Sequence, residues 1–221
     1  MVGDMQREVL TRLYRIGHTE IEITAPVYMK SPKNLEKFRI ERAERADDEV
    51  VHYLVKMTED LAGIKEELVK KRTGRVICRE NLMVFQTVGG ECRFINFLGM
   101  DWHYAVSSQE NANHYRVWFV PEVAEMLDQD TVYLAAFSLE KQAIKDHAMI
   151  LHSAYMCYED TAVLFSAPSE TGKSTQADLW EKYRRTWTVN GDRSLLIREK
   201  ERRRFQQTWQ SPLPNRGKRF F

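Results

Sequence analysis

Between Ala162 and Trp180 the chain reads AVLFSAPSETGKSTQADLW. Lys173 is the one cation in that stretch, and it stands between Gly172 and two hydroxyl residues, Ser174 and Thr175. This grouping suits a polyphosphate. The ammonium offers a point charge, a hydroxyl can ligate Mg²⁺, and small residues let main-chain N–H groups close on phosphate oxygens. The spacing follows the phosphate-loop pattern G-x-x-x-x-G-K-[ST] from Ala167 to Ser174, with Ala167 in place of the first glycine. Alanine fits there as long as its φ stays negative. Gly172 is expected to let the backbone approach the ligand closely.

The flanks supply the context that the motif requires. Ala162 to Phe165 is a short apolar run of strand type, and Lys173 to Tyr183 reads as a helix with Ala177, Leu179 and Trp180 as its apolar contacts. A phosphate-bound metal also needs an acid. Asp192 follows the β-rich stretch Trp187 to Val189 and could face the phosphates from the end of a neighbouring strand. The triplet Asn190-Gly191-Asp192 is equally compatible with a plain turn.

Residues 151–196, LHSAYMCYEDTAVLFSAPSETGKSTQADLWEKYRRTWTVNGDRSLL, resemble the C-terminal catalytic domain of the HPr kinase/phosphorylase family. They are closer still to its bacterial relatives found beside peptide-modification genes. That family has a His in a strand, a tight turn, an apolar strand, a phosphate loop, a helix and an acidic motif, and it shares its phosphate loop with phosphoenolpyruvate carboxykinases. The resemblance implies an ATP- and Mg²⁺-dependent serine kinase acting on a protein or peptide in the cytoplasm. It implies that Ala167, Ser169, Glu170, Thr171, Gly172, Lys173, Ser174 and Thr175 bind the nucleotide phosphates, with Ser174 and Asp192 on the metal. It further implies that Asp192 takes the acceptor's proton and that His152 supports Asp192. The relatives carry two adjacent Asp residues, whereas this chain has Asp192 alone. A degenerate, non-catalytic nucleotide-binding adaptor in a peptide-modification system is therefore the alternative. No second Lys and His cluster supports a carboxykinase-like enzyme. The relatives often assemble into rings, so a homo-oligomer is a further implication.

The remaining chain must position this site. Ile21-Glu22-Ile23-Thr24 alternates as a strand does, Val50 to Met57 is β-rich, and Glu59 to Lys71 carries a helical stripe of Leu61, Ile64 and Leu68. The charged residues 34–48 predict an exposed strand or hairpin flank. VICRE, LMVFQTV, CRFINFL and HYRVWFV predict four further short strands. The composition shifts near Val120-Pro121, where PEVAEMLDQD predicts a helix with Pro in its first turn. Residues 138–147 predict another helix, with Ser138 as its N-cap. The expected class is α/β, α+β overall. A mostly antiparallel β-rich region over residues 1–130 precedes a phosphate-loop domain over 131–221. Compared with the relatives, that domain is expected to be incomplete after about residue 204, with Pro212, Pro214 and Gly217 breaking any later strand. The run Arg198 to Arg204 predicts a solvated hairpin.

The bulk composition excludes other classes. Thirty-three Lys and Arg balance 32 Asp and Glu, which gives no general attraction to nucleic acid or to a membrane surface. Cys78, Cys92 and Cys157 are too few and too scattered for a disulfide framework or a zinc site, and are expected as small buried residues in a reducing compartment. The first residues carry charges throughout and lack the apolar core of a signal peptide. His18, His52, His103, His114 and His147 show no ligand-like spacing.

Overall fold

The computed structural model describes residues 8–206, apart from Glu80, Asp160, Ser169, Gly191, Asp192 and residues 199–202. The fold is mixed α/β and rich in strands. The chain divides into two compact units, residues 1–139 and residues 140–221.

In the first unit β1 (Val9–Ile16), β2 (Thr19–Pro26), β3 (Arg39–Ile40), β4 (Val51–Met57), β5 (Ile77–Arg79), β6 (Leu82–Gln86), β7 (Glu91–Asn96), β8 (His103–Gln109) and β9 (His114–Phe119) form one sheet. Its order is β3-β1-β2-β4-β9-β8-β7-β6-β5. Most pairings are antiparallel, but β4 runs parallel to both β2 and β9 at the centre. On β4 the alternation is plain: Val51, Tyr53 and Val55 are buried while Leu54 and Lys56 are exposed.

Both faces of this sheet are covered. On one, α2 (Leu61–Lys70) lays Leu61 and Leu68 over Phe85, Cys92, Phe94 and Val106. Asp60 caps α2, its carboxylate accepting from the Gly63 N–H at 2.8 Å, a contact worth about 1 kcal/mol. On the other, Tyr53 stacks on Tyr115 and meets the edge of Phe137, which follows α3 (Asp130–Ala136). Residues 34–48, expected as an exposed strand or hairpin flank, have only the two-residue β3 as strand, between a short helix, α1 (Lys33–Glu36), and a 3₁₀ turn at Asp47–Glu49. PEVAEM is likewise a 3₁₀ turn, because the helical run is broken before Asp130. Ser138, the expected N-cap of α4 (Leu139–Lys145), takes a left-handed φ of 52° rather than the extended conformation of a capping residue.

The second unit is built on one long strand, β10 (Ala148–Tyr158). Its C-terminal half pairs with β11 (Thr161–Ser166) and, on its other side, with β12 (Trp187–Asn190). Its N-terminal half pairs with β13 (Arg193–Arg198), and β13 pairs with β14 (Arg203–Gln206). All of these pairings are antiparallel. β12 and β13 therefore lie in succession along the same side of β10 and do not form a hairpin with each other. The expected hairpin at the charged run is the β13–β14 pair, with Arg198 opposite Arg203. The breaks expected at Pro212, Pro214 and Gly217 lie outside the described residues. No helix among the described residues is long and apolar enough to cross a membrane. Cys92 and Cys157 are buried as expected, but Cys78 is exposed on the outermost strand of its sheet.

Candidate nucleotide site

β11 ends at Ser166, opposite Ser153 of β10. The chain then turns tightly into α5 (Lys173–Arg184) and does not continue as a strand. Two residues of the turn are left-handed: Glu170 at φ 63° and Gly172 at φ 89°. Thr171 between them is not, nor is Ala167, so the alanine substitution costs the loop no strain. Left-handed residues in a tight turn are a common ingredient of the main-chain concavities that bind anions. The Thr171 hydroxyl donates to the Pro168 carbonyl at 2.7 Å and pins the turn.

Gly172 stands in a left-handed conformation. A Cβ at this position would meet none of the described residues within 4 Å. Glycine takes that left-handed φ at the least cost, and the open space beside it leaves room for a bound group. Gly172 is also the N-cap of α5, and no side chain among the described residues caps the helix. The first helical bond runs from Gln176 N–H to the Gly172 carbonyl at 2.9 Å. The N–H groups of Lys173, Ser174 and Thr175 thus stand at the positive end of the helix dipole without a capping side chain.

Lys173 is only 8% exposed. Its ammonium donates to the carbonyls of Ala167 and Pro168, each at 2.9 Å. No carboxylate pairs with it among the described residues. A buried cation held by neutral oxygens alone is left short of negative charge.

The helix is held over β10 and β11 by a small apolar seam. Ala177 packs on Ala154 and Met156, with Val163, Phe165 and Trp180 around them. The Trp180 ring meets the edges of Tyr158 and Phe165 at 5.7 and 5.6 Å. Leu179, expected in this seam, is exposed, because two residues of helix rotate it about 200° away from Ala177.

His152 shares a face with that seam. Residues 152, 154 and 156 of β10 lie on one side, and Ala154 and Met156 meet α5. His152 is therefore on the helix-bearing face, at the end of β10 level with the start of the loop, and its side chain is exposed. Its carbonyl accepts the Ser166 hydroxyl at 3.1 Å, which ties β10 to the last residue before the turn. The sequence pattern did not single out Ser166; a hydroxyl residue closing a strand is too common to stand out. Across the sheet His152 is opposite Arg193, and Tyr155 is opposite Asn190. Asp192 and Ser169 lie outside the described residues.

The opposite face of β10 is chemically quiet. Ser153 and Ser194 are both buried and share a hydrogen bond of 2.9 Å. Burial pushes the Tyr155 hydroxyl above its ordinary range, and the same cause raises the Cys157 thiol, so neither is a ready nucleophile.

Among the described residues no three His, Cys, Asp or Glu side chains gather as a metal cage. Magnesium at a phosphate loop does not need one. It takes one or two protein oxygens and draws the rest from phosphates and water, and the exposed Ser174 hydroxyl in the first turn of α5 fits that demand. In comparisons with protein-family models, curated proteins and solved structures, nothing matches this chain at a significant level.

Proposed function

We propose that this chain binds Mg²⁺·ATP through residues 167–175 and passes the γ-phosphoryl group to a serine hydroxyl of a protein or peptide in the cytoplasm. One observation carries the binding step: the buried Lys173 ammonium rests on two carbonyls beside a helix N-terminus that no described side chain caps. A polyphosphate supplies the missing negative charge, accepts from the waiting N–H groups and releases Lys173 from the carbonyls. Ser174 would hold the metal, which neutralises charge on the transferring group.

The chemistry rests on the family resemblance. The acceptor oxygen forms a bond to the γ-phosphorus while the bond to the departing ADP oxygen breaks. The hydroxyl proton goes to the Asp192 carboxylate. His152, on the helix-bearing face of β10, would hold Asp192 in place. The single acid in Asn190-Gly191-Asp192 favours the rival reading, a nucleotide-binding adaptor without transfer activity.

Titration with Mg²⁺·ATP tests the site. Lys173→Ala should weaken binding by about a hundredfold, the worth of a charge-assisted contact of about 2–3 kcal/mol. Unchanged affinity would refute the proposal. Transfer of labelled phosphate to serine peptides then separates the two readings. A kinase loses transfer but keeps binding in Asp192→Asn, whereas an adaptor shows no transfer even in the wild type.

A further inference from the structure

Residues 41–49, ERAERADDE, join β3 to β4 in the first unit and are exposed apart from the half-buried Ala43. Their main chain is nonetheless tied to the sheet. The buried Glu20 carboxylate accepts from the N–H groups of Glu44 and Arg45 at 3.0 and 3.1 Å. Further along, Asp47–Glu49 form the 3₁₀ turn. There the Asn113 side-chain amide donates to the Asp48 carbonyl, and His52 Nε2 lies 3.1 Å from the Asp47 carbonyl. The Asn113 carbonyl accepts the His52 N–H at 2.7 Å, so the turn, β4 and the approach to β9 are held as one.

The position of β4 between β2 and β9 sets the neighbours of His52: Glu22 on one side and His114 on the other. Its side chain is only 15% exposed. Nδ1 is 3.1 Å from a Glu22 carboxylate oxygen, while Nε2 faces the Asp47 carbonyl. Carbonyl and carboxylate oxygens both accept. A neutral imidazole carries one N–H and serves one of them, so making both bonds takes the imidazolium. The Asp47 carboxylate adds to this, at 3.7 Å from Nε2. On the β9 side the His114 ring stacks at 4.7 Å, with its own Nδ1 3.0 Å from the Asn111 side-chain oxygen. Arg116, two residues further along β9, is engaged by Glu110 at 2.8 Å. Burial by itself would lower His52. The Asp47 carbonyl and the Glu22 and Asp47 carboxylates outweigh it and raise the group above its ordinary value.

These holds respond differently to pH. The Asn113 amide does not titrate, and Glu20 gives up its charge only in acid. His52 is the hold whose charge changes near neutral pH. The turn it grips carries Asp47, Asp48 and Glu49 in succession and has no basic residue in its last turn. An imidazolium at its base offsets that crowd of like charge. A neutral ring keeps one of its two bonds and offsets nothing. The folded value of His52 lies above its unfolded value. Its contribution is therefore complete below about pH 6.5 and is lost as pH rises through the folded value.

We infer that His52 is a proton-operated latch on the segment before β4. As the imidazolium it bridges Glu22 of β2 to the Asp47 carbonyl and clamps the acidic turn to the sheet. On losing a proton it releases one of the two, and the segment from Glu44 to Val50 opens while the sheet itself stays paired. The latch does not depend on nucleotide binding and survives or fails without it.

The test titrates the full chain, labelled with ¹³C and ¹⁵N, from pH 5 to 9 by carbon-detected NMR. The His52 ring carbons should titrate with a midpoint above about 6.5, and the Asp47 and Asp48 carbonyl signals should move with that same midpoint. A His52 midpoint at or below about 6.5, or turn signals that do not follow it, would overturn the latch. Trypsin reads the opening itself. Corrected with a reference peptide at each pH, it should cut after Arg45 at least fivefold faster at pH 9 than at pH 6.5, and equal rates would overturn the inference. Glu22→Gln removes the charged partner and should lower the His52 midpoint by at least half a unit, whereas an unchanged midpoint would contradict the clamp. His52→Gln should be cut at the same corrected rate at both pH values, and a step that persists would assign the opening to another group. The wild-type titration decides the matter even where a variant folds poorly.

Discussion

Glu20 in the first unit and Lys173 in the second are both charged and both nearly buried, at 1% and 8% exposed. They are kept in opposite ways. Glu20 sits across the β1–β2 hairpin from Arg15. It accepts from the Arg15 guanidinium at 2.7 and 3.0 Å and from the N–H groups of Glu44 and Arg45 at 3.0 and 3.1 Å. Its charge is matched, and its oxygens are used to pin the loop before β4. Among the described residues Lys173 is held by the Ala167 and Pro168 carbonyls and by no carboxylate. A buried charge whose partners are complete holds structure together, whereas one whose partners are neutral is poised for a ligand of opposite sign.

The largest effect that would break this contrast is at Glu20. Glu20→Ala leaves two N–H groups without their acceptor and Arg15 with Glu44 as its remaining carboxylate, and should cost about 3 kcal/mol in urea unfolding. A loss under about 1 kcal/mol would put Glu20 and Lys173 in the same class.

Acid sharpens the contrast further. Burial alone would raise the Glu20 carboxyl, but the Arg45 N–H, the Arg15 guanidinium and the Glu44 N–H outweigh it and hold the group below the usual range. Its folded value lies below its unfolded value, so its stabilisation is complete above about pH 4.3 and is lost as pH falls through the folded value. The stability gap between wild type and Glu20→Gln should narrow progressively below about pH 4, as read by unfolding at each pH. A constant gap would contradict the assignment.

At Lys173 the expected effect is smaller and of the opposite sign. Lys173→Met removes a buried cation that no described carboxylate neutralises and should leave stability unchanged or raise it by about 1 kcal/mol, measured by thermal unfolding. A loss as large as that of Glu20→Ala would mean that the two carbonyls alone satisfy the ammonium. The smallest effect is at Glu170, whose left-handed φ of 63° is strained for any residue with a Cβ. Glu170→Gly should stabilise the chain by about 0.5 kcal/mol, visible as a small rise in Tm.

Local pattern made the second unit the more legible of the two. Strand, small-residue loop and helix follow one another between Ala148 and Arg184, each with its own signal, and the structure has β10, β11 and α5 there. β4 and α2 were legible for the same reason. β8 was not. It is buried on both faces from Tyr104 to Ser108, so it shows no alternation, and Ser107 and Ser108 disguise it as loop. Nor could the sequence show that β4 runs parallel to both neighbours, because parallel pairing is set by connections rather than by residue types. Contacts that depend on such placement were invisible as well. His52 and His114 stack at 4.7 Å only because β4 and β9 pair in that register, and Lys65 meets His103 only because α2 crosses above β8. At the candidate site the loop residues were readable from type and spacing. Their conformations were not: Glu170 as a left-handed position and Leu179 as an exposed one both follow from helix and turn geometry.

The most direct test of the nucleotide site follows the main-chain amide signals of the ¹⁵N-labelled chain while Mg²⁺·ATP is added. Saturable shifts concentrated at Gly172, Lys173, Ser174 and Thr175, absent in Lys173→Met, are the expected result. Signals from those four residues that stay in place at millimolar nucleotide, or that move equally in the variant, would contradict a phosphate-binding loop.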